Sequence, residues 1–219
     1  MGMITYIADP FDPPGYERFG GGHLFIYDLG RFLIQSGFKL TYVTRLNTLE
    51  KSLHQRIGYT CEINRLEVGP AEEIPPHQVA LLLDDLYDAT RNLLNNLTTP
   101  VDVLHSHYWI EGVVASRLRK EFNFRHVHSI LSLGRLKRNL GEAINPTDEL
   151  RDAGEMEVFR SADVLIAVCP DEHNNLLKFY NDIPLSNAVI IPYGVNTNVF
   201  CPRPESAGNY VRRATERFK

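Results

Sequence analysis

What most constrains this chain is a regular alternation. Short apolar runs, each too brief for a helix, are separated by stretches whose apolar residues recur at helical spacing. Met3–Ala8, Lys39–Thr44, Tyr59–Val68, Val101–Ser106, Arg125–Ser129, Ala162–Cys169 and Ala188–Ile191 read as strands. Helices are expected from His23 to Gly37, over His77–Leu97, over Ile110–Phe122, from Thr147 to about Ser161, and over Pro170–Tyr180. Thr147 is the candidate N-cap of the fourth helix. Pro170 opens the fifth, with Asp171 and Glu172 in a first turn where the dipole favours acids. Arg45–Gly58 reads as irregular or a short helix, and Gly69–Pro76 and Asn139–Asp148 read as loops. Strands alternating with helices require an α/β domain with a mainly parallel sheet covered on both faces, in three layers.

Such sheets bind ligands in the crevice beyond the carboxyl ends of their strands. The unusual polar clusters of this chain all follow strands: Gly20–Gly22, the run His105-Ser106-His107-Tyr108-Trp109, the segment Ser129–Lys137, and Pro170-Asp171. That convergence predicts one cleft.

The stretch Asp9 to Arg31 is the most informative of these. Pro10, Pro13 and Pro14 exclude helix and sheet until Gly20-Gly21-Gly22, after which the helix begins. Unpaired N–H groups at a helix N-terminus, approached across glycines, suit a phosphate. The same glycines would serve equally in a tight turn. They match neither Gly-x-Gly-x-x-Gly nor a Walker loop.

His105 and His107 end a strand, and one is expected to face the sheet interior and the other the cleft. Either is a packed core residue or a group that polarises a hydroxyl. Trp109, the only tryptophan, is a sugar-stacking platform or a core aromatic. Arg135, Lys137 and Arg138 form a basic segment that fits a phosphorylated or carboxylated ligand, or a solvated loop. Arg151 and Glu155, one turn apart, join that cluster or make a surface ion pair. No metal-ligand spacing and no nucleophile elbow is present.

Composition narrows the classes further. A chain of 219 residues makes one large domain or two small ones. A net charge of −4 argues against general nucleic-acid binding. No apolar run approaches the roughly 20 residues of a membrane span, and the N-terminus lacks a secretory pattern. Cys61, Cys169 and Cys201 read as free thiols of a reducing cytoplasm.

Five blocks, taken in order, resemble the retaining family 4 glycosyltransferases of GT-B fold. They are Gly-Gly-Gly-His-Leu-Phe-Ile-Tyr-Asp-Leu from Gly20, Val-Leu-His-Ser-His-Tyr-Trp-Ile-Glu-Gly from Val103, and Ser-Leu-Gly-Arg-Leu-Lys from Ser132. The others are Glu-x-x-x-x-Arg-Ser-Ala-Asp-Val-Leu-Ile-Ala-Val-Cys-Pro-Asp-Glu from Glu155 and Ile-Pro-Tyr-Gly-Val-Asn-Thr-Asn-Val-Phe from Ile191. The nearest branch is that of sucrose-phosphate synthase and the inositol-phosphate glycosyltransferase of mycothiol synthesis.

The resemblance implies a Rossmann-like N-terminal, acceptor-binding domain over residues 1–202, one half of a GT-B fold, with 203–219 leading toward a second domain. It implies transfer of a sugar from a nucleotide-sugar donor to a polar, phosphorylated acceptor, with retention and without metal or cofactor. Gly21 and Gly22 would meet the donor diphosphate, and His107 would sit by the transferred sugar. Lys137 and Arg151 would hold an acceptor phosphate, with Arg135 and Trp109 beside them. Two departures stand out. Leu131 replaces a histidine common in relatives, and no Glu-x7-Glu nucleotide motif follows Cys201. The chain alone is therefore expected to be inactive, as half of a longer enzyme or one subunit of a split one. A non-catalytic binding or assembly module is the alternative. A dinucleotide-binding dehydrogenase half fits less well, because the strand Lys39–Thr44 ends without an acid.

Overall fold

The computed structural model describes residues 1–7, 9–12, 21–142, 145–197 and 201. The predicted loop residues 13–20, the end of the Ile191 block at 198–200 and the expected tail at 203–219 lie outside them. The element order is β1 (Gly2–Ile4), α1 (Gly21–Gln35), β2 (Leu40–Arg45), β3 (His54–Arg56), β4 (Cys61–Leu66), α2 (Pro76–Ala80), α3 (Leu83–Asn96) and β5 (Val103–His107). It continues with α4 (Trp109–Leu118), β6 (Arg125–Ser129), α5 (Gly134–Asn139), α6 (Asp148–Ser161), β7 (Val164–Ala167), α7 (Pro170–Phe179) and β8 (Ala188–Ile190).

The strands form one sheet of order β3-β4-β2-β1-β5-β6-β7-β8, parallel throughout except for the β3–β4 pair. The register sets Ile4 beside both Val43 and Ser106, and His107 beside Ser129. From β1 the chain builds outward through β2 and β4, then returns to build β5 to β8 on the other side. The order reverses between β1 and β5, and at such a switch point a crevice opens beyond the strand ends.

Alternation along the strands produces two cores. Met3, Leu40, Tyr42, Cys61 and Ile63 pack with Ile26 of α1 on one face. Ile4, Val43, Leu104 and Leu165 join the larger core of α3, α4, α6 and α7 on the other. Helix α4 is buried almost all round because it lies between the sheet, α3 and α6. Gly154 lets α6 approach it: a Cβ there would lie 2.8 Å from Val113 Cγ2 and 2.9 Å from Trp109 Cε3.

Several boundaries differ from expectation. Strand β3 lies inside the segment read as irregular or helical; its three residues are polar and exposed, so no hydrophobic period marks it. It also breaks the strict strand–helix alternation. The single helix expected over His77–Leu97 turns at Leu81 and Leu82, while Val79, Ala80, Leu83 and Leu86 keep one buried face across the turn. The basic segment after β6, read as a loop, contains α5. Among the described residues, no helix is long and apolar enough to cross a membrane.

Candidate functional site

At the switch point, four distant segments meet. His107 is the last residue of β5, and Gly21 is the first of α1. An added Cβ on Gly22 would lie 3.7 Å from the Leu131 side chain, whereas Gly21 faces open space. Phe25, in the next turn of α1, presents its ring edge-on to His107 (centroids 6.1 Å apart) and stacks at 4.2 Å on Tyr193 beyond β8. The N-terminus of α1 thus borders the crevice, where the helix dipole favours an anion.

Backbone strain concentrates at the same place. Tyr108 (φ 75°) and Leu131 (φ 56°) are the non-glycine residues with positive φ among the described residues, and each follows a strand that ends at the crevice. Such strain persists only where the surroundings enforce it.

His107 is 1% exposed; the Ile4 backbone faces its ring as a hydrogen-bonding group, and neither ring nitrogen makes a well-formed bond among the described residues. Burial, with neighbouring His105 adding to it, pushes its pKa well below the usual 6.5, so the ring is neutral. The expectation that His105 and His107 face opposite ways is wrong. Residues two apart on a strand share a face, and these rings stack at 4.1 Å. His105 Nε2 lies 2.9 Å from Ser129 Oγ, which completes a buried pair; burial takes its pKa to about 3. On the opposite face, Ser106 Oγ lies 2.7 Å from His126 Nε2 and 2.8 Å from His128 Nδ1. Glu111, at the start of α4, accepts from the Tyr6 backbone N–H at 2.8 Å, and burial raises its pKa to about 8.

Beside this crevice, a pocket of about 180 Å³ opens between α2, α4, α5 and α6, lined by His77, Tyr108, Trp109, Lys137, Arg138 and Arg151 among others. Arg151 does not make a surface ion pair: it is 8% exposed, and its Nε–H donates to Glu155 Oε1 at 2.7 Å. Its other nitrogens donate to Ser132 Oγ (2.9 Å) and Tyr108 Oη (3.3 Å), with the guanidinium above the Tyr108 ring. Burial opposes the charged guanidinium, yet Glu155 and Tyr108 beside it hold its pKa above the usual value. Lys137 Nζ lies 3.2 Å from Glu142 Oε2 in a half-exposed pair. Arg138 pairs with Asp152.

The predicted site residues therefore divide into groups. Lys137, Arg151 and the 3%-exposed Trp109 line the pocket, while Gly21, Gly22 and His107 belong to the adjoining crevice. Tyr108 and Trp109 of the pocket directly follow His107 of the crevice in the chain, and Gly134 of the pocket lies three residues past Leu131, which sits beside Gly22. Arg135 lies outside both; its side chain donates to the Phe179 carbonyl at 2.8 Å and packs over the Tyr180 ring. Sequence reasoning placed Tyr108 and Ser132 in polar clusters at the cleft without giving either a role, and it missed His77. The signal for Tyr108 was its place just past a strand end; His77 carried none.

The family description Glycosyltransferase Family 4 matches residues 19–199. Among curated relatives, a D-inositol 3-phosphate glycosyltransferase of Streptosporangium roseum is 28% identical, over 96% of this chain and 48% of the relative. The enzyme of the same name from Thermobispora bispora is 27% identical, over 94% of this chain and 49% of its own length. Among solved structures, the sucrose-phosphate synthase of Thermosynechococcus elongatus superposes with a TM-score of 0.82 at 25% identity, over 95% of this chain and 51% of the synthase. The chain spans about half the length of the curated relatives it matches.

Proposed function

The chain belongs to glycosyltransferase family 4, and from that premise we propose that it is the acceptor-side half of a retaining GT-B glycosyltransferase. It moves a sugar from a nucleotide-sugar donor to a small polar acceptor that carries a phosphate. One observation supports this reading above the others. A small pocket with three cationic side chains, one of them buried and held rigid, adjoins a crevice containing a buried, neutral His107 and the N-terminus of α1.

In this reading Arg151 and Lys137 hold the acceptor phosphate, and Trp109 and Tyr108 form the wall beside the polyol. Lys137 is held only by an exposed pair, so it can exchange Glu142 for the ligand. The α1 N-terminus at Gly21 and Gly22 meets the negative charge that develops on the donor diphosphate as the glycosidic bond breaks. His107, buried and neutral, accepts or donates one hydrogen bond to a hydroxyl of the transferred sugar. Arg135 takes no part in binding and braces the back of α5. A second Rossmann-like domain, fused or separate, supplies the nucleotide site; residues 203–219 would lead to it. Cys61, Cys169 and Cys201 form no disulfide among the described residues, which fits a cytoplasmic setting. None of these roles requires a metal or a cofactor.

A second reading, as a binding or assembly subunit, draws on the exposed apolar residues Leu24, Ile191, Tyr193 and Val195 near the crevice. Calorimetric titration separates the two. D-myo-inositol 3-phosphate, one isomer of the D-inositol 3-phosphate in the curated relatives' name, should bind this chain, while inositol should bind at least tenfold more weakly, a difference of about 1.4 kcal/mol. Equal binding of the two, or none, would count against the acceptor reading.

A further inference from the structure

Tyr180 lies outside the pocket, yet it is tied to the pocket's most rigid cation. It follows α7, is fully buried, and packs its ring edge-on against Phe159 at 4.9 Å. The Arg135 guanidinium covers its other side, 4.7 Å from the ring centroid. The hydroxyl donates to Glu155 Oε2 and accepts from the Arg135 backbone N–H at 3.3 Å.

Glu155 is 1% exposed, so its carboxylate depends on protein donors. Three groups supply them: the Tyr180 hydroxyl, the Arg151 Nε–H, and the Gly134 N–H, which lies 3.0 and 3.1 Å from the two oxygens. No slack exists around this contact. A Cβ on Gly134 would sit 2.8 Å from Arg151 Nε and 3.1 Å from Glu155 Oε2. A rotation of the carboxylate must therefore move either Arg151 or the first turn of α5, and both line the pocket.

We propose that Tyr180 is a positioning residue: its hydroxyl fixes the Glu155 carboxylate, which in turn holds Arg151 and the start of α5 in place for an anionic acceptor. The inference rests on the acceptor reading of the pocket. It connects α7, which lines no part of that space, to the geometry of Arg151. Burial and the neighbouring Glu155 both raise the phenol's pKa, so the hydroxyl keeps its proton over the working pH range.

Tyr180→Phe removes the hydroxyl and keeps the ring packing. The direct readout is the Arg151 Nε–H signal in nitrogen-15 NMR of the whole chain, identified by its loss in Arg151→Lys. In the unaltered chain this proton should exchange slowly with water. In Tyr180→Phe it should exchange at least tenfold faster. Binding of D-myo-inositol 3-phosphate should weaken by roughly tenfold, the usual effect of losing one hydrogen bond to a charged group. Phe159→Leu is the control: it loosens the same packing but keeps the hydroxyl, so it should lower Tm while leaving exchange and binding unchanged. Unchanged exchange in Tyr180→Phe, or equal loss in Phe159→Leu, would overturn the proposal. If exchange responds as expected but the inositol phosphate never perturbs Arg151 in the unaltered chain, the acceptor reading fails and the Tyr180–Glu155 link stands.

Discussion

Arg151 and Lys137 look equivalent as letters and differ in burial. The Arg151 side chain is 9% exposed and paired with a Glu155 side chain that is 1% exposed; the Lys137 side chain is 44% exposed. Removing one partner of a buried pair leaves an uncompensated charge, whereas an exposed pair contributes little. Arg151→Ala should therefore cost about 3 kcal/mol of stability, and Lys137→Ala less than about 1 kcal/mol. Urea titration checks both, and similar losses would mean that the burial of Arg151 is not maintained. The sequence placed these two residues near one another and could not rank them, because i,i+4 spacing is the same for a buried pair and a surface pair. It also misjudged the histidine pair: period-two geometry puts His105 and His107 on one face, a consequence of the strand that the sequence reading did not follow through.

Strands β5 and β6 carry four buried histidines, and these make a pH signature for the element. His105 (about 3), His126 (about 4), His107 and His128 all lie below the usual 6.5, chiefly through desolvation. Below about pH 6.5 the unfolded chain binds more protons than the folded one, so stability falls as pH falls. Each histidine adds a slope of up to about 1.4 kcal/mol per pH unit. Glu111, raised to about 8 by burial, acts oppositely. From its unfolded value near 4.5 up to 8 the folded state holds the extra proton, so stability declines as pH rises through that window. Together these place the maximum Tm near pH 7, with a steep acid side and a gentle alkaline side that Glu111→Gln flattens. A Tm that is level from pH 5 to 8 would contradict the burial of these groups. Strand β7 was legible as an apolar run, and α6 and α7 from their N-terminal signals, Thr147 for the one and Pro170 with Asp171 and Glu172 for the other. Strand β3 and helix α5 were not, because the one is wholly polar and exposed and the other is six residues long, in a segment whose basic charge suggested a loop.

At the scale of the molecule, the parallel sheet makes one functional rim out of residues far apart in sequence. The order reversal between β1 and β5 brings Gly22, Leu131, His107 and Tyr193 together, and the α4–α5–α6 pocket opens beside them. That rim was legible, because each polar cluster followed an apolar run. Its division into a crevice and a charged pocket was not, because it depends on the Tyr108 and Leu131 backbones and on the Glu155 contacts. A second open depression, of about 480 Å³, offers Arg119, Lys120 and Arg125 near the amino ends of β6 and β7. Arg119 and Arg125 there both pair with Asp163. Basic charge alone therefore does not single out the acceptor site. The most direct measurement is a crystal structure of the chain soaked with D-myo-inositol 3-phosphate. The phosphate should lie between Lys137 and Arg151, with the ring directed toward His107. Phosphate density over Arg119 and Arg125, with the α4–α5–α6 pocket empty, would contradict the account.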